Sequence, residues 1–321
     1  MLFYLTIAQI LWLSARTSYA TDLFSVLRAN NATIFADAIE THRDLYELLL
    51  SSTVRTVFAP VDNILNSTTP QSHWIFRRNE EDVIRNAVFH GVIQIFGEST
   101  NSTKSDLGTL SKRNSDSIPF LYTASSDKVP ANLEDGTNQK IVLVDGGVAN
   151  HKGDPEHNQN TTRVRQLVTG LGNKVSVLKS GIEYSGGEIS LVDGLLTIPK
   201  KLSQTLATLC DTTAFGALLK SSNITASFDT QRGGTFFIPS NTAIVALGNW
   251  TLSPTAIKNH AVQNFSAYLP LLKDCQTLNA EGGAVLTVTK SHDGEYYVNG
   301  AKIISNNIIL ENGVAFFTSS P

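Results

Sequence analysis

Thr56-Val-Phe-Ala-Pro60-Val-Asp62, in the first half of the chain, returns in the second half as Thr235-Phe-Phe-Ile-Pro239-Ser-Asn241. The features around it repeat in the same order. Thr33-Ile-Phe35-Ala-Asp-Ala-Ile39 precedes the first copy and Thr213-Ala-Phe215-Gly-Ala-Leu-Leu219 the second, with a phenylalanine-to-proline spacing that agrees to within one residue. Downstream, Ala87-Val-Phe-His90 and Lys258-Asn-His260-Ala-Val262 run into a histidine, and a Gly-led apolar strand follows at Gly187-Glu-Ile-Ser-Leu-Val-Asp193 and Gly313-Val-Ala-Phe-Phe-Thr318. Self-similarity on this scale outranks any local motif and predicts two copies of one domain.

The second copy shows the architecture more plainly. Ser253-Pro254 supplies an N-cap followed by proline at the first helical position, with Ile257, Ala261 and Val262 spaced along one face. Its last stretch reads as antiparallel strands, because Asp293-Gly294, Asn299-Gly300 and Asn312-Gly313 favour the positive φ of tight hairpins. Val285, Thr287 and Thr289 alternate with Leu286 and Val288, as a half-buried pleated surface prefers. Helices first and strands last imply an α+β domain. The proline ends a strand that it cannot extend by hydrogen bonding, and Asp62 or Asn241 then reads as the N-cap of the next helix. Thr56, Pro60, Asp62, Thr235, Pro239 and Asn241 are therefore read chiefly as fold determinants. The first copy is longer because polar loops, Glu98 to Ser117 and His151 to Thr162, are inserted between Pro60 and Gly187.

These residues carry a resemblance. The Thr-Val-Phe-Ala-Pro-x-Asp block, the later aromatic-histidine position and the closing Asn-Gly-Val strand resemble the fasciclin-like domain of extracellular adhesion proteins. The resemblance spans most of residues 21–321. It is strongest at Thr56 to Asp62 and at Leu278 to Phe317, and weakest between about Gly97 and Arg165. It implies two tandem fasciclin-like domains, each a helix cluster packed on a mostly antiparallel β-wedge, at residues 21–200 and 201–321. His90 and His260 occupy the family's histidine position, but Phe89 and Asn259 stand where a tyrosine is usual. Ser190 and Phe316 replace the family's closing-strand histidine, and Ser319 stands where the first copy has Asp193. The resemblance thus suggests that the second copy lost part of the shared surface or gained an apolar one.

Residues 1–20 hold an apolar run, Leu2 to Leu13, and end in Ser18-Tyr-Ala20, a small-x-small cleavage pattern. The run is too short to span a bilayer core, so it reads as a secretory signal removed after Ala20. Asn-x-Ser/Thr sequons at Asn31, Asn66, Asn101, Asn160, Asn223, Asn249 and Asn264 agree with secretion. The strand after Gly313 stops short of its first-copy counterpart, which continues through Leu195 to Pro199, and this leaves open a longer chain with an anchor. A net charge of −3, from 25 basic and 28 acidic residues, gives no reason to expect nucleic acid as a partner, and no direct membrane insertion is expected once the signal is gone.

Cys210 and Cys275 both lie in the second copy. In an oxidising compartment two thiols in one small domain usually pair, so a disulfide is expected, with two free thiols as the alternative. Nucleophile-elbow, zincin, phosphate-loop and dinucleotide motifs are all missing. His151-Lys-Gly-Asp154-Pro-Glu156-His157 gathers four potential metal ligands but fits no helical face and reads as a solvated loop, and Lys112-Arg113 reads as an exposed pair. No catalytic residue, metal or cofactor is expected. The sequence points to a secreted or cell-surface glycoprotein that acts through surface contacts. Its expected partner is extracellular protein or polysaccharide of a matrix or cell wall, or a second copy of itself. The alternatives are a ligand-binding or hydrolytic protein with a pocket at the domain junction, and a structural spacer in a cell wall.

Overall fold

The computed structural model describes residues 22–41, 43–50, 54, 56–67, 92–94, 120–124, 131–134, 136, 139–148, 163–248 and 252–321. Helices α1 (Leu23–Ala29), α2 (Thr33–Glu40) and α3 (Arg43–Leu49) lead into β1 (Thr56–Pro60) and α4 (Asp62–Ser67). Strands β2 (Val92–Gln94), β3 (Phe120–Ala124), β4 (Lys140–Val148), β5 (Arg163–Val168), β6 (Lys174–Tyr184) and β7 (Gly187–Val192) follow. Helices then return as α5 (Leu202–Thr208), α6 (Thr213–Ser221) and α7 (Thr225–Thr230), before β8 (Gly234–Pro239) and helices α8 (Asn241–Ala246) and α9 (Pro254–Lys258). The remaining strands are β9 (Ala261–Gln263), β10 (Thr277–Asn279), β11 (Val285–Lys290), β12 (Tyr296–Val298), β13 (Ala301–Leu310) and β14 (Gly313–Thr318). The fold is mixed α/β.

Strands β1 to β7 close into a barrel in chain order, with β1 antiparallel to β2 and parallel to β7. The second sheet runs β10-β11-β12-β13-β14-β8-β9, and its β14–β8 pair is parallel while the other pairs are antiparallel. The repeated block is thus a strand inserted beside the last strand of its own sheet. Every residue of β1 and of β8 is buried, as expected of a strand covered on both faces. One face carries Val57 and Ala59, which pack with Leu23, Leu27, Phe35 and Ile39 of the helices, while Phe58 turns inward to Leu143, Leu167 and Val192. In β8 the division is the same. Phe236 and Ile238 meet Leu206, Phe215 and Phe228 on the helix side, and Phe237 meets Val262, Val314 and Phe316 inside the sheet.

Hairpin chemistry sets the register of the second sheet. Asn299 and Gly300 both take positive φ (47° and 82°) between β12 and β13, the conformation that suits a two-residue turn. The N-cap expected at Ser253 is present: its hydroxyl accepts from Ala256 N–H at 3.2 Å, with Pro254 at the first helical position. Ser203 lies inside the second copy's first helix, α5, and does not cap it. Residue 201 holds the cap position without a side-chain bond, and Ser203 instead donates its N–H (2.9 Å) and hydroxyl (2.6 Å) to Asp229 of α7.

The two sheets touch. Val142 of β4 and Val168 of β5 join the core of the second sheet beside Ile309, and Gly170 forms a parallel bridge with Ile309. Gln139 Nε2 donates to the Leu310 carbonyl at 3.1 Å, and Glu311 N–H donates to the Lys200 carbonyl at 3.0 Å. A side chain at Gly170 would collide with the backbone of Ile198 and Pro199, so the chain can pass this point only as glycine.

Candidate functional site

Thr235 is completely buried in β8. Its hydroxyl donates to the Phe265 carbonyl at 2.6 Å and accepts from Ala267 N–H at 2.8 Å, tying β8 to the chain leaving β9. Thr56 is equally buried, in register with Ile93 of β2 and Glu188 of β7. Pro60 and Pro239 lie at the strand ends, opposite Val192 and Thr318 of the parallel neighbours.

The expected N-cap role of Asp62 and Asn241 needs correction. Ser240, not Asn241, caps α8, accepting from Ala243 N–H at 3.1 Å. Asn241 is the first residue of α8, and its side chain reaches back to another helix. Its Oδ1 accepts from Ala214 N–H of α6 at 2.8 Å, while Nδ2 donates to the Cys210 carbonyl (3.0 Å) and the Thr213 hydroxyl (3.1 Å). Asp62 does the same in the first half, with Oδ1 accepting from Ile34 N–H of α2 at 2.9 Å. These helix N-termini leave backbone donors unpaired within the helix, and a residue on the far side of a β-strand satisfies them. The two residues are therefore clamps between helix cluster and sheet. Asn241→Ala should lower stability by about 2 kcal/mol and Asp62→Ala by about 1, the range of a lost cap plus its accompanying bonds. Thermal melts check this, and equal stability of Asn241→Ala and the parent chain would refute the clamp.

His260 is a structural link as well. Its Nδ1 lies 2.9 Å from the Phe237 carbonyl, its own carbonyl accepts from Phe237 N–H at 2.9 Å, and its ring meets Phe215 edge-on at 5.4 Å. Burial pushes the imidazole below its ordinary pKa of 6.5, against the hydrogen bond to Phe237, which acts the other way. The unfolded chain therefore takes up this proton first. Full stability holds above pH 6.5 and is lost as pH falls through the lowered folded value. The parent chain should lose more melting temperature than His260→Gln between neutral and mildly acidic pH. Parallel pH profiles would exclude this residue as the cause.

The closing strands differ in a readable way. Phe316 is fully buried and stacks on Phe237 at 5.6 Å, so this position adds to the core and not to an apolar surface. Ser190 is buried too. Asp193 and Ser319 do one job: Asp193 Oδ1 accepts from Ser176 N–H (2.6 Å) and Ser319 Oγ from Lys302 N–H (3.1 Å), and each residue's own N–H donates back to the same partner's carbonyl.

The expected Cys210–Cys275 bridge is not formed. Both thiols are free and exposed. Cys210 sits in the helix cluster, where its carbonyl holds Asn241, and Cys275 takes a positive φ of 59° two residues before β10. The two lie on separate stretches of the second half, one between α5 and α6 and one before β10, so membership of one domain does not make them a pair. Among the sequons, Asn31, Asn66, Asn223 and Asn264 are exposed. Asn101, Asn160, Asn249 and His90 lie outside the described residues, as do Lys112-Arg113 and the His151 to His157 segment. Among the described residues no group of three His, Cys, Asp or Glu side chains is placed to hold a metal ion, and no helix is long and apolar enough to cross a membrane.

One broad polar face remains. Leu278, Leu286, Val288 and Val298 point into the second sheet, so their neighbours Thr277, Thr287, Thr289 and Tyr297 face outward in register across β10, β11 and β12. Lys302 of β13 continues the row beside Tyr297. Glu295 ties the two together, accepting from the Tyr297 hydroxyl at 3.1 Å and pairing with Lys302 at 2.5 Å. The Lys302 bond, followed by that of Tyr297, draws the Glu295 carboxyl below its usual range, and Glu295 raises both partners. On the barrel, by contrast, Val142 and Val144 of β4 form an apolar row packed on the second sheet.

Residues 211–320 match the family model of the Fasciclin domain, and a fasciclin domain is present there. The chain is 31% identical over 153 residues to a fasciclin-like arabinogalactan protein, CTB11, of Cercospora beticola, covering 46% of this chain and 41% of that protein. It is 28% identical over 155 residues to a fasciclin-like arabinogalactan protein of Arthroderma benhamiae, covering 46% and 36%. A third, elcF of Phaeosphaeria nodorum, is 24% identical over 199 residues, covering 61% and 58%. The chain thus spans well under two thirds of the length of the curated relatives it matches. A solved structure of a FAS1 domain pair from the insect cell adhesion molecule fasciclin I aligns over 91% of this chain and 97% of that one, at 14% identity and a TM-score of 0.39.

Proposed function

We propose that this chain is a secreted, glycosylated protein of two tandem fasciclin-like domains, residues 21–200 and 201–321 after a signal at 1–20, acting in adhesion or cell-wall association. The observation that carries the reading is the fasciclin domain at residues 211–320, together with the fasciclin-like arabinogalactan proteins it resembles. The tandem arrangement is supported by the order of elements, since each parallel-paired strand, β1 or β8, follows three helices and precedes six strands among the described residues. Exposed sequons at Asn31, Asn66, Asn223 and Asn264 support glycan attachment.

The motif residues of the second half serve folding, which moves recognition to the outer face of β10 to β13. Threonine hydroxyls, the Tyr297 ring and the charges of Glu295 and Lys302 suit a polar extracellular partner, protein or polysaccharide. An adhesion assay with beads coated by glycosylated residues 21–321 tests this against an equally glycosylated unrelated protein. Beads carrying Tyr297→Ala with Lys302→Ala should bind less to cells or matrix at an unchanged melting temperature. No binding above the control by the parent chain would remove adhesion. A ligand pocket at the junction has less in its favour, because Val142 and Val168 pack directly on the second core.

A further inference from the structure

The first half lays a short segment, turning at Glu134, onto the second half. Asn132 N–H donates to the Glu311 carbonyl at 2.7 Å, and the Asn132 carbonyl accepts from Gly233 N–H at 2.8 Å. Asn132 Nδ2 donates to the carbonyls of Thr230 and Gln231, both at 3.3 Å. Leu133 is 2% exposed, and its carbonyl accepts from Arg232 Nε at 3.0 Å. Glu134 anchors the end of the segment, its two carboxylate oxygens accepting from Ser266 N–H at 2.6 Å and Ser266 Oγ at 2.7 Å.

The floor beneath this segment is shaped for it. Gly233 takes a positive φ of 54°, and a Cβ there would come within 2.6 Å of Glu134 N and 2.7 Å of Glu134 Cβ. The walls come from three separate places in the second half: residues 230–233 after α7, Ser266 after β9, and Glu311 between β13 and β14. Backbone bonds on both edges, one buried side chain and one anchored acid are the elements by which proteins read a peptide.

We infer that residues 230–233, 266 and 311 form a recognition groove for an Asn-Leu-Glu segment that turns at Glu134, that the chain's own residues 132–134 fill it in cis, and that the same segment of a second copy takes it when the cis segment leaves. The main-chain bonds give affinity without sequence preference, the burial of Leu133 favours an apolar side chain there, and the paired donors of Ser266 select a carboxylate. A tethered occupant acts at an effective concentration in the millimolar range. Exchange between copies therefore belongs to crowded arrays and not to dilute solution, and it joins chains without any new surface.

The test uses a labelled peptide covering residues 130–136 and the full chain. The parent chain should bind it weakly, because its groove is filled. A Leu133→Ala, Glu134→Ala chain that retains a cooperative melt should bind it at least about tenfold tighter, and Glu134→Gln or Leu133→Ala in the peptide should remove about tenfold of that gain, the worth of one charged or apolar anchor. A folded variant that binds no peptide, or binds all three peptides alike, overturns the inference. Should that variant not fold, amide exchange in the parent chain decides. Gly233 N–H, held by Asn132, should be protected in the parent and exchange about tenfold faster in Glu134→Gln. Equal rates would show that the segment is not seated.

Discussion

Gly313→Val is expected to destabilise the second half more than any other single change in its sheet, by more than about 3 kcal/mol, the sum of a left-handed backbone and a steric clash. Gly313 opens β14 at φ 138° and lies opposite Gly234, the first residue of β8. A Cβ on Gly313 would collide with the Gly234 carbonyl oxygen and come within 2.6 Å of its nitrogen. Neither strand can retreat, because β8 is pinned between β14 and β9 and both of its faces are packed. Gly283→Val separates the causes. That glycine also has a positive φ, 94°, yet nothing lies within 4 Å of a side chain there, so only the backbone cost of about 1–2 kcal/mol applies. Denaturant melts of both variants check this, and equal losses would mean that the glycine pair at the parallel seam is not the constraint.

Thr235→Val is expected to cost about 3 kcal/mol, although it preserves shape and adds apolar surface. The change strands two backbone groups, the Phe265 carbonyl and Ala267 N–H, both held by one hydroxyl. Each buried group left unpaired costs about 1–3 kcal/mol. Thr235→Ser keeps the hydroxyl and should recover most of the loss, so a serine variant as unstable as the valine one would place the effect in the missing methyl group. Because the motif threonine holds the turn after β9, its substitution should lower the proposed adhesion only as far as it lowers the folded fraction.

The repeat made the strand framework legible in advance. Thr56 to Asp62 and Thr235 to Asn241 were placed by internal comparison, and the glycines at 294 and 300 marked turns that the second sheet uses, while the turn before β14 falls on Glu311 and Asn312, one residue ahead of the expected Asn312-Gly313 pair. What failed to show was anything depending on contact across distance. Local rules assign Asn241 as the cap of its own helix, whereas the structure has Asn241 capping α6. A cap signal in sequence gives the chemistry of a side chain but not which helix end is unpaired nearby. The cysteine pair failed for the same reason, since being two in one domain says nothing about direction. Phe316 was read for surface and proved to be core, because a histidine position in a family motif carries no burial of its own. Glu134 had no signal at all. It lies in a polar stretch of the first half, and its partner Ser266 is visible in sequence only as the end of a sequon.

The parallel seams also govern the order in which the molecule can be built. β8 is flanked by β9, made soon after it, and by β14, the last strand of its sheet to be made, and β1 must likewise wait for β7. Until Gly313 to Thr318 has left the ribosome, Phe236 and Phe237 lack their neighbours Ala315 and Phe316 along one whole edge. Such remote pairing slows folding and leaves apolar strand edges open during synthesis. A nascent chain halted before Gly313 would present an unfilled slot beside β8, a natural target for chaperones and for quality control.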